Sequence, residues 1–380
     1  MKKKRNIHIL LLILTLAAAF LTGFCRGSVK VIPEVSTALY NDILGGPLNT
    51  NTAGTIIAAD SNLVFFTLEG KIYRFNLEKK LLDFLVDLTI PIEPEIIHQK
   101  DIVVLKEKNS THFIFFDLGK MAVIKTPQEI NAEKIISLDA EHEIIGYVTG
   151  RRLVFANYAG GKILAELNIE GGEGSEIGDG GIIFYNSVAA VIDDTPMLMV
   201  LTSRDLYVFN LKRNSIETIS LTSKAASGFL FDSGDMYYGS ENRELVKFSL
   251  TDRKVQWRFK LADRLKIEPR KAGPYIVITP EDHNIYFFNK RGTLYWWEKL
   301  DSTRLLPPVI MKENAAVFLW NKTIKYFNYK HKTSYIYPLD KVVFSNALHI
   351  DGYLYVIAET GDQNQEQPLK AITKIGNNFG

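Results

Sequence analysis

Lys71-Ile72-Tyr73-Arg74-Phe75-Asn76 decides the fold, because its last two residues recur along the chain. An apolar residue followed by Asn, Asp or Ser closes a short apolar run at Phe75-Asn76, Phe116-Asp117, Ala156-Asn157, Phe209-Asn210, Phe248-Ser249, Phe288-Asn289 and Phe327-Asn328. Counted at the second residue, the steps are 41, 40, 53, 39, 40 and 39 residues. Repeats of about 40 residues match one small sheet in a radial array. The repeat around Phe75 reads as four short strands, at residues 54–59, 63–67, 71–75 and 81–85, separated by polar turns. Strands this short with tight turns between them make an antiparallel blade. The predicted fold class is therefore all-β: a β-propeller of four-stranded antiparallel blades. Closing the ring removes the exposed sheet edges that isolated blades would carry.

Seven anchors give seven blades, and the remaining chain supplies material for an eighth. Residues 352–357 and 369–373 read as two of its strands, with a polar hairpin tip at 361–367. Little chain is left for an outer strand, so the segment Val29-Lys30-Val31-Ile32-Pro33-Glu34-Val35 is expected to close the ring from the other end. Eight blades are preferred and seven are the alternative. The anchor has a local rationale: the apolar residue packs between blades, and the Asn, Asp or Ser hydrogen-bonds the backbone of the turn that follows. The long step between Asn157 and Asn210 places an insertion near residues 171–181 or at Asp193-Asp194-Thr195-Pro196.

Residues 1–25 stand apart. Lys2, Lys3, Lys4 and Arg5 precede an apolar run from Ile9 to Leu21, the layout of an export signal. That run is shorter than the roughly 20 residues a membrane span needs. The single cysteine, Cys25, lies where bacterial lipoproteins are lipidated; Leu21-Thr22-Gly23 fits the pattern, and Phe24 departs from it. An ordinary soluble signal cut near residues 23–27 is the alternative. One cysteine excludes an intrachain disulfide, so packing alone holds the domain, residues 29–380. With 45 Lys and Arg against 43 Asp and Glu, the chain carries no overall field that would draw nucleic acid.

The unit resembles the pyrroloquinoline-quinone-like (PQQ-like) propeller repeat, most closely at residues 69–76, 245–257 and 285–297, with the repeat's Trp at Trp257 and at Trp296 or Trp297. The resemblance covers roughly residues 52–375, and the usual Thr-Gly-Lys turn is mostly replaced. It implies one of two uses. Quinoprotein dehydrogenases hold a quinone and calcium on the axis, beside paired cysteines that this chain lacks. Non-catalytic, BamB-like exported propellers act as scaffolds in outer-membrane protein assembly. The expectation is the second: an exported, periplasmic or cell-surface protein, tethered to the membrane through Cys25, without cofactor, binding envelope proteins. The alternatives are a divergent quinoprotein or carbohydrate-active enzyme, and an extracytoplasmic ligand sensor. An enzyme would gather three or more ionisable side chains at one mouth of the axial channel.

Other polar groupings have structural explanations. His98, His112, His142, His283, His331 and His349 show no metal-ligand spacing. Glu170, Glu173, Glu176 and Asp179 offer oxygens on a Gly-rich loop, without a calcium-loop pattern. Asp139, Glu141, His142 and Glu143 could serve acid–base work or simply form a polar turn. Asn109-Ser110-Thr111 and Asn321-Lys322-Thr323 have the form of glycosylation sequons. No catalytic or metal-binding residue is assigned.

Overall fold

Eight four-stranded antiparallel sheets make up the structure, a computed structural model that describes residues 42–48, 52–124, 130, 132–169, 182–339, 341–359 and 370–376. Blades 1–7 span residues 52–87, 92–124, 134–168, 184–220, 225–260, 270–299 and 309–338, and blade 8 combines residues 348–375 with Asp42–Leu48. In blades 1–7 the chain runs through each sheet in sequence order, and the first strands of most neighbouring blades touch around the axis. Eight buried apolar clusters lie between the blades, one at each junction, including that between blades 8 and 1. The core is thus a ring of interfaces rather than one central mass.

All seven anchors end a third strand, as the period requires. Their side-chain oxygens accept backbone N–H groups from the next turn: Lys79 to Asn76, Lys120 to Asp117, Gly160 to Asn157, Arg213 to Asn210, Asp252 to Ser249, Arg291 to Asn289 and His331 to Asn328, at 2.5–3.1 Å. Each of these turns also holds a residue at positive φ: Lys80, Met121, Gly161, Asn214, Arg253, Gly292 and Lys332. Most are not glycine, so the side-chain bond from the anchor compensates a conformation that L-residues avoid. The preceding residue is buried at every anchor and packs on the blade before it, as with Phe75 on blade 8 and Phe327 on blade 6. In blade 3 the position is Ala156, and the buried Phe155 stacks on Phe209 of blade 4, with centroids 4.6 Å apart.

The repeat's tryptophan has a visible role at one junction. The Trp257 indole of blade 5 donates to the Lys290 carbonyl at 3.1 Å in the anchor turn of blade 6. A Cβ on Gly292 would stand 2.8 Å from that ring, so the turn needs a glycine there for clearance as well as for its φ of +86°. In blade 6, Trp296 points inward and stacks on Phe287, while Trp297 is 42% exposed.

The ring closes from the amino-terminal side, but through a different segment from the one expected. Asp42–Leu48, not residues 29–35, is the outer strand of blade 8 and pairs with Lys370–Ile375. Chain length explains the choice. Leu48 lies a short connector before the first strand of blade 1, as each outer strand of a propeller must, whereas residues 29–35 would need a much longer link. Residues 1–41, including Cys25 and the segment expected to be an export signal, lie outside the described residues, as does the hairpin tip expected at 361–367.

A second closure device sits on the inner strands. The Ile56 N–H donates to Asn346 Oδ1 at 2.7 Å, and Asn346 Nδ2 donates to the Ile56 carbonyl at 3.0 Å, joining blade 8 to blade 1. Asn186 clamps Phe229 in the same way between blades 4 and 5, with both bonds 2.9 Å long. Asn346→Ala removes two bonds and strands a part-buried backbone pair. It is expected to cost about 2 kcal/mol, read as a lower urea midpoint at unchanged slope.

Candidate functional site

Antiparallel order gives the ring two distinct faces. Turns joining first to second and third to fourth strands share the anchor face; turns joining second to third strands, and the connectors between blades, share the connector face. The axis between them is not filled. A cavity of ≈ 660 Å³ is lined by the first strands of blades 2, 3 and 4 together with Glu268 and Arg270 at the start of blade 6. Its polar lining includes Glu95, His98, Gln99, Lys134, Asn186 and Ser187.

Five ionisable side chains therefore meet one cavity: Glu95, His98, Lys134, Glu268 and Arg270. Their number is that expected of an enzyme, but their arrangement in cation–carboxylate pairs is not that of an acid–base site. Four of them are already paired. Lys134 lies 3.9 Å from Glu95, and Arg270 lies 2.5 Å from Glu268. Burial holds the His98 imidazole below its ordinary pKa, so it is neutral at pH 7. Gln99 and Asn186 are committed to backbone partners, Gln99 accepting the Ala140 N–H at 2.6 Å. Among the described residues no three His, Cys, Asp or Glu side chains are grouped to hold a metal ion. With both carboxylates engaged by cations and no cysteine pair, the cavity does not fit a quinone–calcium pair.

The remaining polar candidates are dispersed. Asp139 accepts from the backbone N–H groups of Glu141 and His142 and bonds the His142 ring at 2.9 Å, while Glu141 pairs with Lys100 of blade 2 at 2.7 Å. This cluster is a turn and an inter-blade tie on the anchor face. His331 lies in the anchor turn of blade 7, His112 and His283 lie in connector-face turns, and His349 is on the first strand of blade 8. Both sequons fall in connector-face turns, and Asp193-Asp194 forms an ordinary hairpin turn. The long step falls instead in the connector between blades 3 and 4, where Glu170, Glu173, Glu176 and Asp179 lie outside the described residues.

The connector face carries one feature that sequence reading missed. Trp320, at the tip of the blade 7 turn, is 63% exposed. Its backbone is fixed by the bond from Trp320 N–H to the Thr303 carbonyl at 2.9 Å and by the tight turn from Lys322 N–H to the Leu319 carbonyl at 3.2 Å. The signal was available: Trp320 follows the buried run Asn314–Leu319 and falls one residue beyond it, where the strand reverses.

No protein-family model matches the chain, and no curated protein matches it. Solved structures do. The computationally designed Ika8 protein aligns over 89% of this chain and 100% of its own, with a TM-score of 0.63 at 10% identity. The carboxy-terminal WD40 domain of Sif2 aligns over 92% of this chain and 100% of its own, with a TM-score of 0.61 at 12% identity. BamB from Moraxella catarrhalis aligns over 73% of this chain and 82% of its own, with a TM-score of 0.48 at 15% identity. Likeness at such identities establishes the propeller fold alone. A designed protein matching as well as a natural WD40 domain shows how little of it concerns function.

Proposed function

We propose that the chain is a non-enzymatic binding propeller that recognises a protein partner through its connector face, in the cell envelope. The observation that supports this is Trp320. A large aromatic side chain held in water on a rigid turn is the kind of group that dominates protein interfaces, because docking desolvates it with little ordering cost. Propeller turns present such groups on a stiff ring. Export and tethering through Cys25 are supported by the basic start, the apolar run and the position of that cysteine. A role in outer-membrane protein assembly is supported by the resemblance of the repeats to the PQQ-like, BamB-like class.

Trp320→Ala is expected to leave the unfolding midpoint unchanged, since the side chain packs on little. A photo-crosslinking residue at position 320 is expected to give one product of defined mass from cells, and one at Lys80 on the opposite face is not. Identical products from both positions, or none from 320, would overturn the reading. Mass spectrometry of the mature amino terminus tests the tether, with a diacylglycerol-modified Cys25 as the expected first residue.

The five ionisable groups around the cavity favour a second reading, a small polar ligand held on the axis. A rise in unfolding midpoint with neutral oligosaccharides, abolished by Glu268→Gln, would favour it.

A further inference from the structure

We infer that the anchor face docks on an anionic bilayer surface through the turns of blades 5–7. These turns, at residues 233–234, 250–253, 273–274, 290–293, 311–313 and 329–332, hold six Lys and Arg against two carboxylates, and Lys254 opens the strand that follows one of them. The matching turns of blades 2–4, at 100–101, 118–121, 140–143, 158–162, 193–194 and 211–214, hold five of each. On a near-neutral chain, this arc of one face thus carries a local excess of positive charge. Three of the cations, Lys254, Arg291 and Lys312, are exposed and have no acidic partner within ion-pair distance among the described residues. Beside them the Lys332 ammonium lies 4.0 Å from the centroid of the Tyr295 ring, which stacks on Tyr275 at 4.3 Å. Partly buried tyrosines among lysines suit the headgroup layer, where an apolar body and a polar tip are both satisfied.

Asp42 pairs with Lys374 near the end of the third strand of blade 8, so the described chain begins at the anchor face, in the blade beside blade 7. Residues 1–41 carry Lys2–Arg5 and the apolar run Ile9–Leu21. Membrane attachment of that segment would favour an orientation with the basic arc towards the bilayer and Trp320 facing away. The inference does not rest on the connector-face reading.

The test uses a chain beginning at Arg26, which lacks Cys25 and the apolar run but keeps every described strand. It is mixed with vesicles of phosphatidylcholine alone, or of phosphatidylcholine with phosphatidylglycerol. Co-sedimentation is expected with the anionic vesicles only, with release at about 1 M salt, where the screening length is about 3 Å. A basic side chain near such a surface contributes about fivefold to partitioning, so Lys254→Gln/Arg291→Gln/Lys312→Gln is expected to lose roughly 100-fold. The control, Arg151→Gln/Arg204→Gln/Lys224→Gln on the connector face, is expected to bind as the parent does. Absence of binding to anionic vesicles, binding to both vesicle types alike, or equal loss in both triple variants would overturn the inference. Failure here leaves the crosslinking result at Trp320 untouched.

Discussion

A chain shortened to begin at Thr52 is expected to lose at least about 4 kcal/mol of stability and to aggregate on concentration. The strand Asp42–Leu48 contributes four registered pairs to blade 8. At about 1 kcal/mol net for each ladder hydrogen bond, the missing pairs account for that figure. The loss also uncovers the edge of Lys370–Ile375, and an open strand edge is a template for intermolecular pairing. A chain beginning at Thr37 lacks the segment expected from sequence to close the ring but keeps Asp42–Leu48. Its urea midpoint is expected to match that of the chain beginning at Arg26, so the series of truncations locates the closing strand. Equal midpoints for the Thr52 chain and the longer ones would remove the strand from the account of stability. An early drop, between Arg26 and Thr37, would restore residues 29–35 as the closing element.

The repeat was legible because its two anchor residues do local work that recurs in every blade. Asn76 and Asn328 cap their own turns, and Phe75 and Phe327 meet the preceding blade by the two-residue alternation of a strand. The closing strand was hidden by Gly45-Gly46-Pro47, which reads as a turn. An outer edge strand tolerates a proline, and the shift in pairing between Leu44 and Leu48 absorbs the irregularity. The axial cavity was illegible for a different reason. Glu95, Lys134, Asn186 and Arg270 are ordinary polar residues in four separate repeats, and only ring closure brings them to one space. Trp320 failed to register because a turn tryptophan looks like one more blade aromatic until its exposure is known.

Lys325→Ala is expected to destabilise the protein by about 3–5 kcal/mol, the range for breaking a buried ion pair at one end. In sequence Ile324-Lys325-Tyr326-Phe327 looks like an alternating strand with its lysine in water. The structure buries that lysine to 1% exposure at the junction of blades 6 and 7. Its ammonium lies 3.0 Å from Glu298 and 3.2 Å from Asp301, and it donates to the Lys299 carbonyl at 2.6 Å. Glu298 is itself buried and accepts from the Ser334 hydroxyl at 2.5 Å. Removing the lysine leaves the Glu298 carboxylate with one neutral donor in a dry site, which is where the cost arises. Lys325→Met/Glu298→Gln removes both charges and keeps much of the volume, so it is expected to be less destabilising than Lys325→Ala alone. Urea titrations of the three proteins decide the point. If the double variant proved worse than the single, the pair would contribute net stability of its own, and the junction would depend on attraction between charges rather than on avoiding a lone one.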